Sequence, residues 1–231
     1  MKTLAGTRSI ASILFVTSLA LGEASLQAAA QQGPALSSKQ ATAAGVADAD
    51  AAAASRGPAK VGETAPNFTL KDASGKEHSL ADYKGKVVVL EWMNEGCPVC
   101  RGVMENGLVA SMVADSKKAD PDVVFLFINS TAKDASKPEK SAKYLERHKI
   151  DGTPLIDGDG TVGHLYGAKT TPHCFVIDAN GTLAYAGAFD NEKEGSENVN
   201  YVVSAVTALK AGKAPSPATT RSYGCGIKYK K

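Results

Sequence analysis

The sequence predicts an α/β domain built on a central mixed β-sheet that is flanked by helices. Two continuous apolar runs, at 87–93 and 123–129, are typical of strands that are buried on both faces. Asn180-Gly181, a strong turn dipeptide, separates two later strand-like runs and predicts a β-hairpin. Strands that alternate with helices and end in a hairpin imply an α/β sandwich around a mixed sheet.

Helical segments are predicted between these strands. A helix begins near Pro98, since proline is favoured in a first turn, and runs to about Lys118, although Gly102 and Gly107 weaken it. The other predicted elements are, in chain order, a strand at 67–70, a helical turn at 79–83, a helix at 136–148, a turn at 157–160 with a short helix to 166, and an amphipathic helix at 197–210. Together they give one compact domain at 61–211, followed by a tail at 212–231 that carries Cys225.

The first 60 residues differ in composition from the domain. Residues 1–30 have the three parts of a secretory signal peptide: basic Lys2 and Arg8, an apolar run at 10–21, and alanines that suit cleavage. The run is shorter than the about 20 residues of a membrane span, so an uncleaved signal anchor is the less favoured alternative. Residues 31–60 are Ala-rich and lack aromatic residues, which predicts a flexible linker. We therefore expect an exported protein, periplasmic or extracellular.

The charge of the chain is nearly balanced, with 26 Lys and Arg against 24 Asp and Glu. Residues 1–60 hold five basic and three acidic groups, so the whole excess of +2 lies there and residues 61–231 are neutral. A neutral domain has no basic stripe for phosphate backbones and no polybasic patch for a membrane surface. We therefore expect neither nucleic acid nor, after signal cleavage, a membrane as a partner.

The cysteines indicate the chemistry. Cys97 and Cys100 form a CxxC pair where a buried strand ends and a helix begins. The helix dipole and free backbone N–H groups at that point stabilise a thiolate, and a second thiol one turn along can close a disulfide with it. A structural disulfide and half of a metal site are the alternatives, although zinc sites of this kind normally need a second ligand pair. The context favours reversible electron transfer.

Three further residues belong to the predicted site. Glu91 lies in the strand that leads to Cys97; if it is buried, its pKa is raised and it can accept a proton from Cys100. A solvent-facing Glu91 is the alternative. The bond between Thr171 and Pro172, just before a later strand, is a candidate cis peptide bond.

Several motifs together resemble a known superfamily. The domain opens with G-x-x-A-P-x-F and L-x-x-Y-K-G-K elements, at 62–68 and 80–86. Residues 61–211 thereby resemble the thioredoxin-like superfamily, on the branch of the alkyl hydroperoxide reductase/thiol-specific antioxidant (redoxin) domains. The E-W-x-N-x-x-C-P sequence at 91–98 and the G-C-x-I-K-Y element at 224–229 are similar to those of secreted peroxiredoxin-like proteins. The resemblance implies a thioredoxin-like fold, a role in antioxidant or redox homeostasis, and a cis-proline at Pro172.

Several residues differ from those of true peroxiredoxins at the matching positions, and these differences bear on peroxidase activity. Cys100 falls at the peroxidatic cysteine of true peroxiredoxins, where Cys97 replaces a peroxide-binding threonine and Met93 a proline. These losses argue against efficient peroxide reduction. Gly96 replaces the tryptophan that precedes the first cysteine in thioredoxins, which predicts a more open nucleophile.

The leading hypothesis is an exported thiol–disulfide oxidoreductase that needs no cofactor and no metal. Cys97 is the exposed nucleophile, Cys100 the buried resolving thiol and Glu91 its proton acceptor, while Thr171-Pro172 docks a substrate cysteine. The partners are protein or small-molecule thiols and disulfides, with an upstream reductant that regenerates the dithiol.

Two alternatives remain open. One is a peroxiredoxin-like thiol peroxidase that acts on hydroperoxides with Cys225 as the resolving cysteine; Cys225 lies in a tail with the composition of a mobile segment. Cys225 can instead be structural, bonded to Cys174, which itself is expected to be a packed strand residue. The other alternative is a redox chaperone that binds Cu(I), a soft ion, through Cys97, Cys100 and His173.

Overall fold

A computed structural model describes residues 58–135, 137–192 and 197–231 of the 231-residue chain. The signal peptide predicted at 1–30 and the linker predicted at 31–60, except its last three residues, lie outside these ranges. No helix within the described ranges is long and apolar enough to cross a membrane.

The centre of the domain is a seven-stranded mixed sheet with the order β2-β1-β5-β4-β3-β7-β8. Its strands are β1 (Thr69–Lys71), β2 (Glu77–Ser79), β3 (Val88–Trp92), β4 (Val124–Asn129), β5 (Thr153–Ile156), β7 (His173–Ile177) and β8 (Leu183–Gly187). β4 runs parallel to both β3 and β5, whereas β7 is antiparallel to both β3 and β8. Two short strands, β6 (Thr170–Thr171) and β9 (Cys225–Gly226), pair antiparallel outside this sheet.

Helices cover both faces of the sheet. They are α1 (Pro98–Glu105), α2 (Leu108–Ala119), α3 (Glu139–Arg147), α4 (Thr161–Tyr166) and α5 (Tyr201–Lys210), with 3₁₀ turns at Leu80–Tyr83 and Ala132–Asp134. Side chains of α1, α2, α3 and α5 pack on one face, and those of α4 pack on the other. The predicted fold class, a mixed β-sheet flanked by helices, is confirmed.

The burial of strand β3 explains why its sequence is apolar except at Glu91. Successive side chains of a strand point to opposite faces. Val89 therefore enters the core under α1 and α2, while Leu90 and Trp92 enter the core on the α4 side. Every residue of β3 is buried. Because both faces are covered, the polar Glu91 in the same strand is buried as well, which excludes the solvent-facing alternative.

Three predicted helices have different bounds in the structure. The helix expected from Pro98 to Lys118 is divided into α1 and α2, because Gly107 has φ +70°, in the left-handed region that breaks a helix. The helix expected from residue 197 begins at Tyr201, because the Asn200 side chain caps it by accepting from the Val203 N–H at 3.0 Å. The helix expected from 136 begins at Glu139.

Candidate active site

Cys97 lies immediately before the helix that follows β3. It is the N-cap residue of α1 and is directly followed by Pro98, so its thiol lies at the helix end where N–H groups lack intrahelical partners. The loop before it is held by Asn94, whose Oδ1 accepts from the Gly96 N–H at 2.6 Å and whose amide donates to Thr131 Oγ1. The strand-to-helix placement of the CxxC pair is therefore as predicted.

Three neighbours surround the sulfur of Cys97. Its Sγ lies 3.2 Å from the carbonyl oxygen of Thr171, to which the protonated thiol donates. The side chains of Cys100 and Cys225 also form hydrogen bonds with it. The hydrogen bond from Cys100, followed by that from Cys225, outweighs burial and lowers the pKa of Cys97 to about 4. The thiolate is the favoured form of Cys97 at neutral pH.

The pKa of Cys100 is shifted in the opposite direction. Its side chain is 1% exposed. The hydrogen bond to Cys97 and then burial raise the pKa of the Cys100 thiol well above its ordinary value, and the nearby Glu91 adds to this. A single proton shared by the pair therefore stays on Cys100, which leaves Cys97 as the better nucleophile.

Glu91 is a buried carboxyl without a polar partner. It is 1% exposed, and neither carboxylate oxygen forms a hydrogen bond within the described part of the chain. Burial raises its pKa to about 8. In the sheet it lies opposite Cys174 of β7. A group with such a pKa holds a proton at neutral pH and can exchange it near neutrality, which suits a role beside Cys100.

The segment before Pro172 meets the C-terminal tail. The Thr171-Pro172 bond is cis, as the sequence suggested. β6 pairs with β9 in a register that places Thr171 opposite Cys225, and Thr171 Oγ1 donates to the Cys225 carbonyl at 3.4 Å. The tail therefore folds back onto the domain, and the thiol that Cys225 contacts is that of Cys97.

The expectation of an exposed nucleophile is wrong for this state of the chain. Cys97 is only 3% exposed, although Gly96 beside it has no side chain. The reason is the tail: Tyr223 and Cys225 pack against the cluster that contains Cys97. This cover depends on tertiary contacts with a distant segment, which the local motif does not encode.

His173 and Cys174 are core residues. His173 is 8% exposed, its Nδ1 accepts from the Lys169 N–H at 3.2 Å, and burial lowers its pKa to about 4. Cys174 is fully buried, as expected for a packed strand residue, and burial raises its pKa well above its ordinary value. The described residues bring no three His, Cys, Asp or Glu side chains together in a metal-binding arrangement. Within the described ranges, Cys97, Cys100 and His173 therefore do not form the three-residue Cu(I) site of that alternative.

Two tyrosines near the site, Tyr144 and Tyr229, were not indicated by local sequence patterns. Tyr144 of α3 is buried, and its hydroxyl has no hydrogen-bond partner in the described ranges. Burial raises the pKa of Tyr144, and the nearby Cys100 and Glu91 add to this, so all three groups belong to one neighbourhood. Tyr229 holds the end of the tail: its hydroxyl donates to the Ala168 carbonyl at 2.7 Å. The only sequence signal for Tyr229 is its place in the G-C-x-I-K-Y element.

Comparisons with known proteins agree with this arrangement. Residues 61–186, more than half of the chain, match the model of the AhpC/TSA family. The chain is 31% identical to the thiol-disulfide oxidoreductase ResA of Geobacillus thermodenitrificans over 124 residues, which cover 53% of the chain and 66% of that relative, slightly less than two thirds. It is 29% identical to the peroxiredoxin Bcp of Escherichia coli, with 59% and 88% covered.

Two solved structures have the same fold over most of their length. One is a hypothetical protein from Sinorhizobium meliloti, with a TM-score of 0.64, 25% identity, and coverage of 74% of this chain and 95% of that one. The other is an uncharacterized conserved protein from Geobacillus kaustophilus, also with a TM-score of 0.64, with 26% identity and coverage of 74% and 93%. The family match, the sheet order and the CxxC pair at the start of α1 together show that this chain belongs to the AhpC/TSA family and has a thioredoxin-like fold.

Proposed function

We propose that this chain is an exported thiol–disulfide oxidoreductase in which Cys97 is the nucleophile and Cys100 the resolving thiol. The observation that carries the proposal is that the pKa values of the two cysteines at the start of α1 are shifted in opposite directions. The pKa of Cys97 is lowered to about 4, while that of Cys100 is raised above its ordinary value. Export is supported by the signal-peptide pattern of residues 1–30.

The reaction consists of two exchange steps. The Cys97 thiolate attacks one sulfur of a substrate disulfide, that S–S bond breaks, and the first substrate thiolate leaves. Cys100 then loses its proton and attacks Cys97 Sγ, which releases the second substrate thiolate and forms a Cys97–Cys100 disulfide. Two electrons pass from the dithiol to the substrate, and an upstream thiol reductant restores the dithiol. The reverse sequence oxidises a substrate dithiol.

Glu91 acts in the second step. Cys100 is buried and its thiol holds its proton strongly, so a base must accept that proton before Cys100 can attack. The charge of Glu91 contributes to the raised pKa of Cys100, so the two groups interact electrostatically, and the pKa of about 8 of Glu91 leaves a minor fraction of it ionised at neutral pH. Thr171, whose carbonyl oxygen contacts Cys97, provides the backbone against which a substrate cysteine aligns.

The relatives are consistent with this proposal. One of those reported above is named a thiol-disulfide oxidoreductase and another a peroxiredoxin, so both names describe chemistry at a cysteine sulfur. The partners that we propose are accordingly protein or small-molecule thiols and disulfides.

Reduction of insulin by the mature chain with a dithiol reductant tests the proposal. The Cys97→Ser variant is expected to lose all activity above the reductant alone, because a serine hydroxyl does not ionise at neutral pH and is a far weaker nucleophile than a thiolate. Cys174→Ala is the matched control, since it removes a fully buried thiol that is not among the groups that form hydrogen bonds with Cys97, and it should keep the activity. Equal activity of Cys97→Ser and the unaltered chain would refute the assignment.

A second candidate function is supported by the contact between Cys97 and Cys225. A thiolate that attacks a hydroperoxide becomes a sulfenic acid and releases an alcohol or water, and a neighbouring thiol then condenses with it to form a disulfide and water. Cys225 lies close enough to Cys97 to be that thiol. Peroxide consumption that depends on a thiol donor and is lost in Cys225→Ser would favour this candidate. A rate no higher than that of free cysteine would exclude it.

A further inference from the structure

The tail blocks the access that the proposed exchange requires. A disulfide sulfur can react with Cys97 only if it approaches Sγ, yet Cys97 is 3% exposed. Of the groups that form hydrogen bonds with its sulfur, Cys100 and Thr171 belong to the domain, and Cys225 belongs to the C-terminal segment. The C-terminal segment therefore occupies the path by which a substrate sulfur would reach Cys97 Sγ.

The tail binds as an added β-strand. β9 pairs antiparallel with β6, with Thr171 opposite Cys225 and Thr170 opposite Gly226. The pairing continues beyond β9, because the Ile227 N–H donates to the Lys169 carbonyl at 3.0 Å. β6 has no other strand partner among the described residues. Release of β9 would leave an open backbone edge beside the nucleophile, which is the kind of edge that extended peptides bind by strand addition.

Gly224 fits this edge for a specific steric reason. A Cβ at this position would lie 2.2 Å from the Thr171 carbonyl oxygen, and the residue has φ +104°, a conformation that side chains disfavour. Gly226, two residues on, differs: a Cβ there meets no atom closer than 3.9 Å. The residue before the cysteine must thus be glycine for the strand to dock, whereas the residue after it has room for a side chain.

The far end of the tail is anchored by Tyr229. Its ring stacks on His164 of α4 with centroids 4.1 Å apart, and its hydroxyl donates to Ala168 at 2.7 Å. On the other side of the cysteine, the Tyr223 hydroxyl donates to Asp190 Oδ1 at 2.6 Å. Ile227 packs against the core on the α4 side. Between these contacts the strand is held by backbone hydrogen bonds, and Gly224 and Gly226 themselves are exposed. Such a segment is released at a lower free-energy cost than a core strand.

We propose that residues 224–227 are an internal substrate mimic, and that the substrate class of this site is an extended polypeptide that carries a cysteine preceded by glycine and replaces β9 along β6. Cys225 occupies the position of the substrate cysteine. This inference deepens the proposed function and rests on it. The docked tail lowers the rate of exchange with polypeptides by keeping the edge and Cys97 covered, and the substrate competes with it.

The test uses the reduced mature chain with Cys225→Ser as the background of every variant and of the unaltered chain in the comparison, because a Cys225 thiol exposed by undocking would itself react with the probe. The probe is a synthetic peptide with the sequence of residues 222–229, whose cysteine carries a thionitrobenzoate group that absorbs on release. In the Gly224→Ala variant the tail is expected to undock, so the peptide should react about tenfold faster or more than with the unaltered chain. Gly226→Ala is the matched control and should react at the rate of the unaltered chain. Hydrogen exchange at the Ile227 N–H should lose its protection only in Gly224→Ala.

A second peptide tests the specificity. Alanine in place of the glycine before the cysteine should make the peptide react several-fold more slowly with Gly224→Ala, because the same collision with Thr171 would recur in the complex. If Gly224→Ala folds poorly, Tyr229→Ala replaces it, since this change removes the anchor and leaves the strand edge intact. Circular dichroism of each variant reports folding.

The outcomes separate this inference from the proposed function. Addition of Cys97→Ser to Gly224→Ala should abolish release of the chromophore, and persistence of release would refute the proposed nucleophile. If release depends on Cys97 but is no faster in Gly224→Ala or Tyr229→Ala than in the unaltered chain, the substrate-mimic inference is wrong. It is also wrong if the glycine and alanine peptides react equally fast with the undocked variant.

Discussion

Replacement of both Cys100 and Cys225 by serine is expected to stop the reaction at a mixed disulfide between Cys97 and the substrate. Cys97 keeps its place at the start of α1 and still attacks, but no thiol remains beside it to release the product. An intramolecular thiol acts at an effective concentration that reaches about 10⁵ M or more, so release by millimolar external thiol should be at least about a thousandfold slower.

Intact-mass measurement after a single turnover detects this trapped adduct. The matched control is Cys225→Ser alone, which retains Cys100 and should release the substrate and form the Cys97–Cys100 disulfide. The single variant Cys100→Ser shows whether Cys225 can resolve the adduct, because it would then contain a Cys97–Cys225 disulfide. Normal turnover by the double variant would contradict the assigned role of Cys100.

Glu91→Gln is expected to slow the second exchange step without affecting the first. The amide has nearly the shape of the carboxyl but cannot accept the proton of Cys100, whose pKa is raised by its contact with Cys97 and by burial. Loss of a general base commonly costs at least about a hundredfold. In stopped-flow measurements the mixed disulfide should form at the normal rate and then persist. In the unaltered chain its decay should speed up as the pH approaches about 8, the pKa of Glu91, and this dependence should be absent in the variant.

The same substitution should change how stability depends on pH. Burial raises the pKa of Glu91 from 4.5 to about 8, so between these values the folded chain holds a proton that the unfolded chain has lost, and stability falls as the pH rises. Cys97 has the opposite effect: its pKa falls from 9.0 to about 4 on folding, so its contribution to stability increases with pH in that window. The two contributions oppose each other between about pH 4.5 and 8.

Removal of the carboxyl leaves the contribution of Cys97 unopposed. Relative to the unaltered chain, the free energy of unfolding of Glu91→Gln should gain on the order of 4 kcal/mol between pH 5 and 8, at about 1.4 kcal/mol per pH unit. Urea unfolding at a series of pH values measures this difference. Glu63→Gln, at a side chain that is 64% exposed, is the control and should follow the unaltered chain. If the free energy of unfolding depended on pH in the same way in Glu91→Gln and in the unaltered chain, Glu91 would not be the group that keeps its proton on folding.

The sequence predicted those parts of the site that depend on local pattern. A strand that is apolar on both faces has to be buried, so the run that became β3 was recognisable, and the CxxC pair that follows it marked the start of a helix. The cis bond at Thr171-Pro172 and the burial of Cys174 were anticipated in the same way. In each case a few neighbouring residues determine the local structure.

The parts that were missed depend on contacts between distant segments. β9 is two residues long, and its glycine-rich sequence has no strand pattern; it forms only because β6 offers an edge 54 residues earlier in the chain. The cover over Cys97 follows from the same contact, so the motif alone predicted an exposed thiol. The break between α1 and α2 was indicated only by a glycine, which weakens a helix without always ending it.

A carbon-13 NMR titration of the reduced chain, with labelled cysteine Cβ atoms, determines whether Cys97 is the attacking thiolate. This measurement does not require access to the sulfur. We predict that the Cys97 signal titrates at about pH 4, while the signals of Cys100 and Cys174 keep their protonated positions beyond pH 9. A Cys97 signal that titrates near pH 9, or a Cys100 signal that titrates first, would show that Cys97 is not the attacking thiolate.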